Sequence, residues 1–347
     1  MDTKYKIPSG LNDFQEKMYK HLIRYKWDKL GIKEAGKWQN SRKPGTFVEY
    51  DTMFPEALKK EHYPVYRPCL DLYKNGRNPS YKFKIHEMAV HMASSQVACF
   101  NLFVPLMQKA DVAAKVLSKI KTDMKSIATD RLDNGYAIEF WNDFEKCPEP
   151  RKGLLKDHTK HAGTDVDFAI AYRDMNDDLC LWLIEHKLTE REFTTCGGYK
   201  SKSNKDKTRC DDIAGIIKAP DRCHYRGACG YDYWNITLGS KDVFPLQSRT
   251  GECPFKGGMN QLWRNVLLAL AVQKSGWGYK NVTFSVVHHP ENKSLDESMT
   301  AFKELLGVKD KFFSFTLDRI INEAKNINNA DIQEWVKWYE ELYLPGE

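Results

Sequence analysis

Two short polar pairs near the middle of the chain carry residue types suited to hydrolytic chemistry: Asp165 with Asp167, and Glu185 with Lys187. The members of each pair stand two residues apart, so on an extended strand both side chains leave from one face. Carboxylates held close together repel one another unless a cation intervenes. Hard oxygen donors suit Mg²⁺, which keeps positions open for a water or a phosphate oxygen. A neighbouring ammonium group orients or activates an attacking water, or neutralises charge that builds on the phosphate. Together the four residues outline a site for cleaving phosphodiester bonds. An isolated Glu-x-Lys is equally compatible with a surface salt bridge at a strand end, which contributes little. The surrounding elements therefore have to decide.

Residues 163–190 contain two apolar runs, 167–172 and 179–184, with the polar patch Asp174-Met175-Asn176-Asp177-Asp178 between them. The runs have strand length and composition, and the patch has tight-turn chemistry, which predicts a hairpin. Antiparallel pairing brings the start of the first strand beside the end of the second, so the four polar residues meet at one end.

An Asp, a turn, and then Glu-x-Lys closing the next strand resembles the PD-(D/E)XK nuclease superfamily, with its restriction-endonuclease-like fold. Here the motif is Asp167 followed by Glu185-His186-Lys187, preceded by Gly163-Thr164-Asp165-Val166. The resemblance implies an α/β fold with a mixed central sheet flanked by helices, and Mg²⁺- or Mn²⁺-dependent hydrolysis of DNA, in defence or repair. Asp167, Glu185 and the His186 backbone carbonyl would bind the metal, and Lys187 would position the water. Asp165 is the alternative acid if the register shifts by one pair. Replacing Lys187 by Ala is then expected to abolish cleavage and leave folding and DNA binding largely intact.

The remaining segments fit that order of elements. Residues 85–106 read as a helix after a start signal at Asn78-Pro79-Ser80, with Glu87 as its acid and Gln96 and Asn101 as polar inward candidates. In the superfamily such a helix carries an acid that assists the metal, a role open to Glu87; Ser and Ala here also serve plain packing. Residues 112–127 predict a further helix, and 136–141 the first strand of the sheet, with Glu139 either beside the metal or facing solvent. The apolar stretch 259–272 predicts a buried helix. The superfamily places a helix there, with a Gln near its start in several branches, so Gln261 would hydrogen-bond the metal-bound phosphate or water and Arg264 would contact phosphate. Residues 281–288 predict a strand, 302–306 a helix, 312–315 an extended segment, and 317–342 mostly helix.

The chain divides into an N-terminal lobe (1–80), a nuclease core (81–193 and 257–347) and an insertion (194–256). In the lobe, residues 13–29 have helical periodicity and the rest reads as loops anchored by aromatics, with no chemistry assigned. The insertion holds Lys200, Lys202, Lys205, Lys207 and Arg209, a solvated basic run that could neutralise backbone phosphates. It also holds Cys196, Cys210, Cys223, Cys229 and Cys253. Their spacings match no tight knuckle, but some superfamily nucleases carry cysteine-bound zinc or an iron–sulfur cluster in this region. Cys196, Cys223, Cys229 and Cys253 form the foursome for a structural Zn²⁺, ahead of an iron–sulfur cluster, with Cys210 or His224 as substitutes. Free buried thiols are the alternative.

Of 347 residues, 41% are hydrophobic and 29% charged, which excludes a disordered chain. The net charge of +6 permits a polyanionic partner without demanding one. The longest apolar run, 266–272, is too short to cross a bilayer. The first residues lack the apolar core of a signal peptide, so a cytoplasmic protein with reduced thiols is expected. Two other classes compete with a nuclease: a catalytically silent nucleic-acid-binding protein on the same scaffold, and a zinc-stapled interaction protein. RNA is an alternative substrate, and a homodimer is compatible with the pattern.

Overall fold

The computed structural model describes residues 5–39, 47–55, 63–75, 83–142, 152–159 and 163–346. A two-stranded ribbon, β1 (Gly36–Gln39) with β2 (Phe47–Tyr50), lies in the N-terminal part. The main sheet has six strands: β3 (Met124–Ile127), β4 (Tyr136–Phe140), β5 (Val166–Asp174), β6 (Leu179–Lys187), β7 (Asn281–His288) and β8 (Phe312–Thr316). Both β3 and β4 pair antiparallel with β5, at its two ends; β5 pairs antiparallel with β6; β6, β7 and β8 are parallel. This is the mixed α/β sheet the sequence predicts.

The hairpin forms where its turn chemistry places it. Asp174 Oδ1 accepts the amides of Asn176 (2.8 Å) and Asp178 (3.0 Å), and Asp177 takes a left-handed φ of 65°. Acidic and amide side chains tolerate that conformation better than branched ones.

Strand parity divides the core into two layers. Phe168, Ile170, Tyr172, Trp182 and Ile184 face one side, against the Ser95–Met107 helix and the C-terminal helices Leu317–Lys325 and Ala330–Tyr343. Ala169, Ala171, Leu181 and Leu183 face the other, against the Met259–Lys274 helix. Phe168 stacks on Phe103 at 4.8 Å and on Tyr136 at 5.4 Å. Each such pair adds about 0.5–1.5 kcal/mol beyond area burial.

Two expectations need correction. The helix predicted over 85–106 begins at Ser95: Glu87–Val90 is a 3₁₀ turn, and the Ser94 hydroxyl caps the helix by accepting the Val97 amide at 3.4 Å. The start signal at residues 78–80 lies outside the described residues. The helix predicted over 112–127 is Ala110–Leu117 followed by β3, because residues 124–127 find ladder partners on β5 that local periodicity does not reveal. By contrast, the Asp13–Asp28 and Met259–Lys274 helices and β7 fall where expected, and the C-terminal run is mostly helical as expected, in two helices with Asn329 capping the second.

Candidate active site

The β4–β5–β6 register sets acids side by side. The ladder joins Ile138 to Phe168 and Phe140 to Val166, so Glu139 lies across from Asp167. Continuing one step past Phe168–Ile184 puts Glu185 on the other side of Asp167 and brings Asp165 level with Lys187. The result is a row of three carboxylates across three neighbouring strands, an arrangement in which like charges destabilise one another.

Glu139, Asp165, Asp167, Glu185 and Lys187 all line one cavity of about 470 Å³. Asp165 is open to solvent at its mouth, Asp167 and Glu139 are half-buried, and Glu185 and Lys187 are buried. Glu185 is the most constrained. Its Oε1 accepts from Lys187 Nζ (2.9 Å) and Gln261 Nε2 (2.7 Å), and its Oε2 from Asn265 Nδ2 (3.0 Å). Gln261 and Asn265 stand four apart on the Met259–Lys274 helix, one above the other on the face turned to the sheet. Asp167 Oδ2 accepts the His186 amide at 2.6 Å. The His186 carbonyl accepts the Ser95 hydroxyl at 2.6 Å, beside a 3.2 Å contact from that hydroxyl to His186 Nδ1.

The electrostatics follow from five acids, Glu190 among them, sharing this space with one lysine. Burial, then the charges of Asp165 and Glu185, pushes the Glu139 carboxyl up to about 8, against the pull of Gln96. Burial, then Glu185 and Glu139, holds Asp167 well above the usual carboxylate range. Buried Glu185 is raised as well, chiefly by burial. Burial disfavours the Lys187 ammonium, but Glu185, Glu190 and Asp167 outweigh it and the lysine titrates above its ordinary value. Buried His186 is pushed down to about 3 and stays neutral. Among the described residues, no three His, Cys, Asp or Glu side chains already surround a common point closely enough to hold an ion. The donor set nonetheless fits a hard dication: it is all oxygen, and its negative charge exceeds what one lysine balances.

Other candidates are placed differently. Glu87 is exposed and does not line the cavity. Arg264 turns inward, its Nη1 donating to the Gly163 carbonyl and Thr164 Oγ1, both at 3.3 Å; it anchors the approach to β5. Lys205 and Arg209 line a separate cavity with His224, where Arg209 pairs with Asp206 at 2.9 Å. Lys207 lies over the Tyr199 ring. Of the cysteines, Cys196, Cys210, Cys223 and Cys253 are buried and Cys229 is exposed. Among the described residues no three His, Cys, Asp or Glu side chains are placed to hold an ion, and Cys210, rather than Cys229, is buried in one cluster with Cys223 and Cys253.

The N-terminal part reaches the site, which its sequence gives no sign of. Tyr19, on the Asp13–Asp28 helix, lines the cavity, and Gln15 Nε2 donates to the Thr189 carbonyl at 2.8 Å. His91 also lines it, bonded to Thr52 Oγ1 at 2.8 Å. Asn265 was the one missed partner with a legible signal, standing one helical turn beyond Gln261.

A mixed sheet with acids and a lysine at the end of its central hairpin defines a restriction-endonuclease-like protein. The chain belongs to the family described as Restriction Endonuclease associating with ARP, whose model matches residues 20–344. No curated protein and no solved structure matches it. Among the described residues, no helix is long and apolar enough to cross a membrane.

Proposed function

We propose that this protein is a Mg²⁺- or Mn²⁺-dependent nuclease that hydrolyses DNA phosphodiester bonds. The observation that carries this reading is the convergence of Asp167, Glu185 and Lys187 on one cavity in a restriction-endonuclease family member. Asp167 and Glu185 would hold the dication, with Asp165 or Glu139 adding oxygens. A bound dication would polarise the phosphate and lower the pKa of a water. Lys187, buried against Glu185, would orient that water and offset charge on the phosphate. Gln261 and Asn265 would fix Glu185 in the orientation its role requires. DNA as substrate, and association with ARP, are carried over from the family's description.

A second reading, a DNA-binding protein without hydrolysis, draws on Glu185 having both oxygens already engaged by Lys187, Gln261 and Asn265. Incubation with supercoiled plasmid and single-stranded DNA separates the two. The nuclease reading expects nicking that needs Mg²⁺ or Mn²⁺, stops with chelator and is absent from Asp167→Asn. Binding without nicking under any dication supports the silent protein.

A further inference from the structure

Five non-glycine residues among those described have a left-handed φ: Leu132, Asn134, Glu139, Lys156 and Asp177. Four belong to turns or connections, and Glu139, at φ 51°, stands within a strand. A residue with a Cβ avoids that conformation, and a strand offers it no reason to adopt one. Ladder pairs on either side, Ile138–Phe168 and Phe140–Val166, are intact, so the distortion is confined to one residue. That residue carries a carboxylate into the cavity beside Asp167. Backbone strain of this kind persists where the surroundings enforce it, and it gathers at functional sites.

The enforcing group is Gln96, in the first turn of the Ser95–Met107 helix. Its Nε2 donates to Glu139 Oε1 at 2.8 Å and to the Lys84 carbonyl at 3.0 Å. Its Oε1 accepts from the Tyr73 hydroxyl at 3.0 Å and the His86 amide at 2.9 Å. An amide with both donors and both acceptor positions used has one orientation, and here it aims an N–H at Glu139. The opposite end of the acid row is built the same way, with Gln261 and Asn265 holding Glu185. Amide side chains on two helices, one on each face of the sheet, thus fix the first and last carboxylates of a row of three.

We propose that Glu139 is a metal-binding carboxylate of this site, bent into place by its left-handed backbone, and that Gln96 is its positioning residue. This rests on the dication-dependent reading given above. A row of three acids flanked by amide clamps costs stability that a merely structural strand would not sacrifice, and a dication relieves it.

The test is Mn²⁺ binding to the full chain without DNA, followed by titration calorimetry, together with thermal denaturation in chelator. Glu139→Asn keeps a side chain that tolerates left-handed φ and removes the charge. It is expected to weaken Mn²⁺ binding about 10–100-fold while melting roughly 1–3 °C higher than the wild type. Gln96→Met is expected to weaken binding to a similar extent in the wild-type background and to change nothing further in the Glu139→Asn background. A purely structural Gln96 would weaken binding in both backgrounds, which overturns its positioning role. Wild-type Mn²⁺ affinity in Glu139→Asn overturns the assignment of Glu139, and if Asp167→Asn still loses binding the wider reading stands. A wild-type protein that takes up no Mn²⁺ overturns both.

Discussion

Replacing Lys187 by Ala is the sharpest test of how the acids are kept charged. The Lys187 and Glu185 side chains are 10% and 6% exposed and joined at 2.9 Å. Removing one partner of a buried pair costs about 3–5 kcal/mol when the survivor keeps its charge. Glu185 has an escape, which is to take up a proton. At pH 7, neutralising a carboxyl with an ordinary value near 4.5 costs roughly 2.5 units at 1.36 kcal/mol each, about 3.4 kcal/mol. The expected loss of stability is therefore about 3 kcal/mol at pH 7, shrinking by about 1.4 kcal/mol for each unit the pH is lowered towards 5. Urea denaturation of the metal-free variant at two pH values reads this directly. Cleavage should fall at least 10²-fold, as when a charge-stabilising donor is lost. A variant that loses under about 1 kcal/mol with no pH dependence refutes the ion-pair argument, and one that cleaves at the wild-type rate refutes the role of Lys187. The burial of this lysine also sharpens the expectation from sequence, in which its loss left folding largely intact, by adding a stability cost.

Other outcomes follow from the same geometry. Gln261→Leu removes one of the two hydrogen bonds to Glu185 Oε1 and Asn265→Leu frees Oε2, and about a 10–100-fold loss of Mn²⁺ affinity or kcat is expected from each; unchanged values in both would show that the clamp is incidental. Glu139 and Asp167 titrate above their unfolded values, so the stability they confer is complete below about pH 4 and is lost as pH rises, through about 8 for Glu139. The metal-free protein should accordingly melt at a lower temperature at pH 8 than at pH 6, and Mn²⁺ should recover the difference. Asn101→Leu strands the Tyr66 amide, the Pro64 carbonyl and the Tyr343 hydroxyl in the core. It should destabilise by about 2–3 kcal/mol without altering Mn²⁺ affinity in the folded fraction.

What was legible in the sequence was local. Asp167, Glu185 and Lys187 could be placed because strand parity and a short turn fix their relation within 21 residues. Gln261 could be placed because the Met259–Lys274 helix is apolar enough to have one position, against the sheet. The Glu139 kink leaves no trace in composition, since the residue sits in an ordinary strand pattern. Gln96 read as an inward polar candidate with no partner to name, because its four partners come from three separate stretches, at Tyr73, at Lys84 and His86, and at Glu139. The contributions of Tyr19 and Gln15 depend on contacts with residues some 170 positions away; Gln15 and Thr189 are separated by 174. Cys229 and Cys210 could not be told apart by spacing, because the insertion is built from short helices with no period to count.

The amide clamp on Glu185 sets a clock on competence during synthesis. Gln261 and Asn265 follow Glu185 by 76 and 80 residues, and β7, the parallel neighbour of β6, lies further on still. At translation rates of about 5–20 residues per second, the acids precede their clamp by roughly 4–16 s. A nascent chain, or a fragment cut before the Met259–Lys274 helix, carries the Asp167 and Lys187 pair on a hairpin with one side unpaired and Glu185 unheld. The acid row is held in its final arrangement only after the Met259–Lys274 helix has been made.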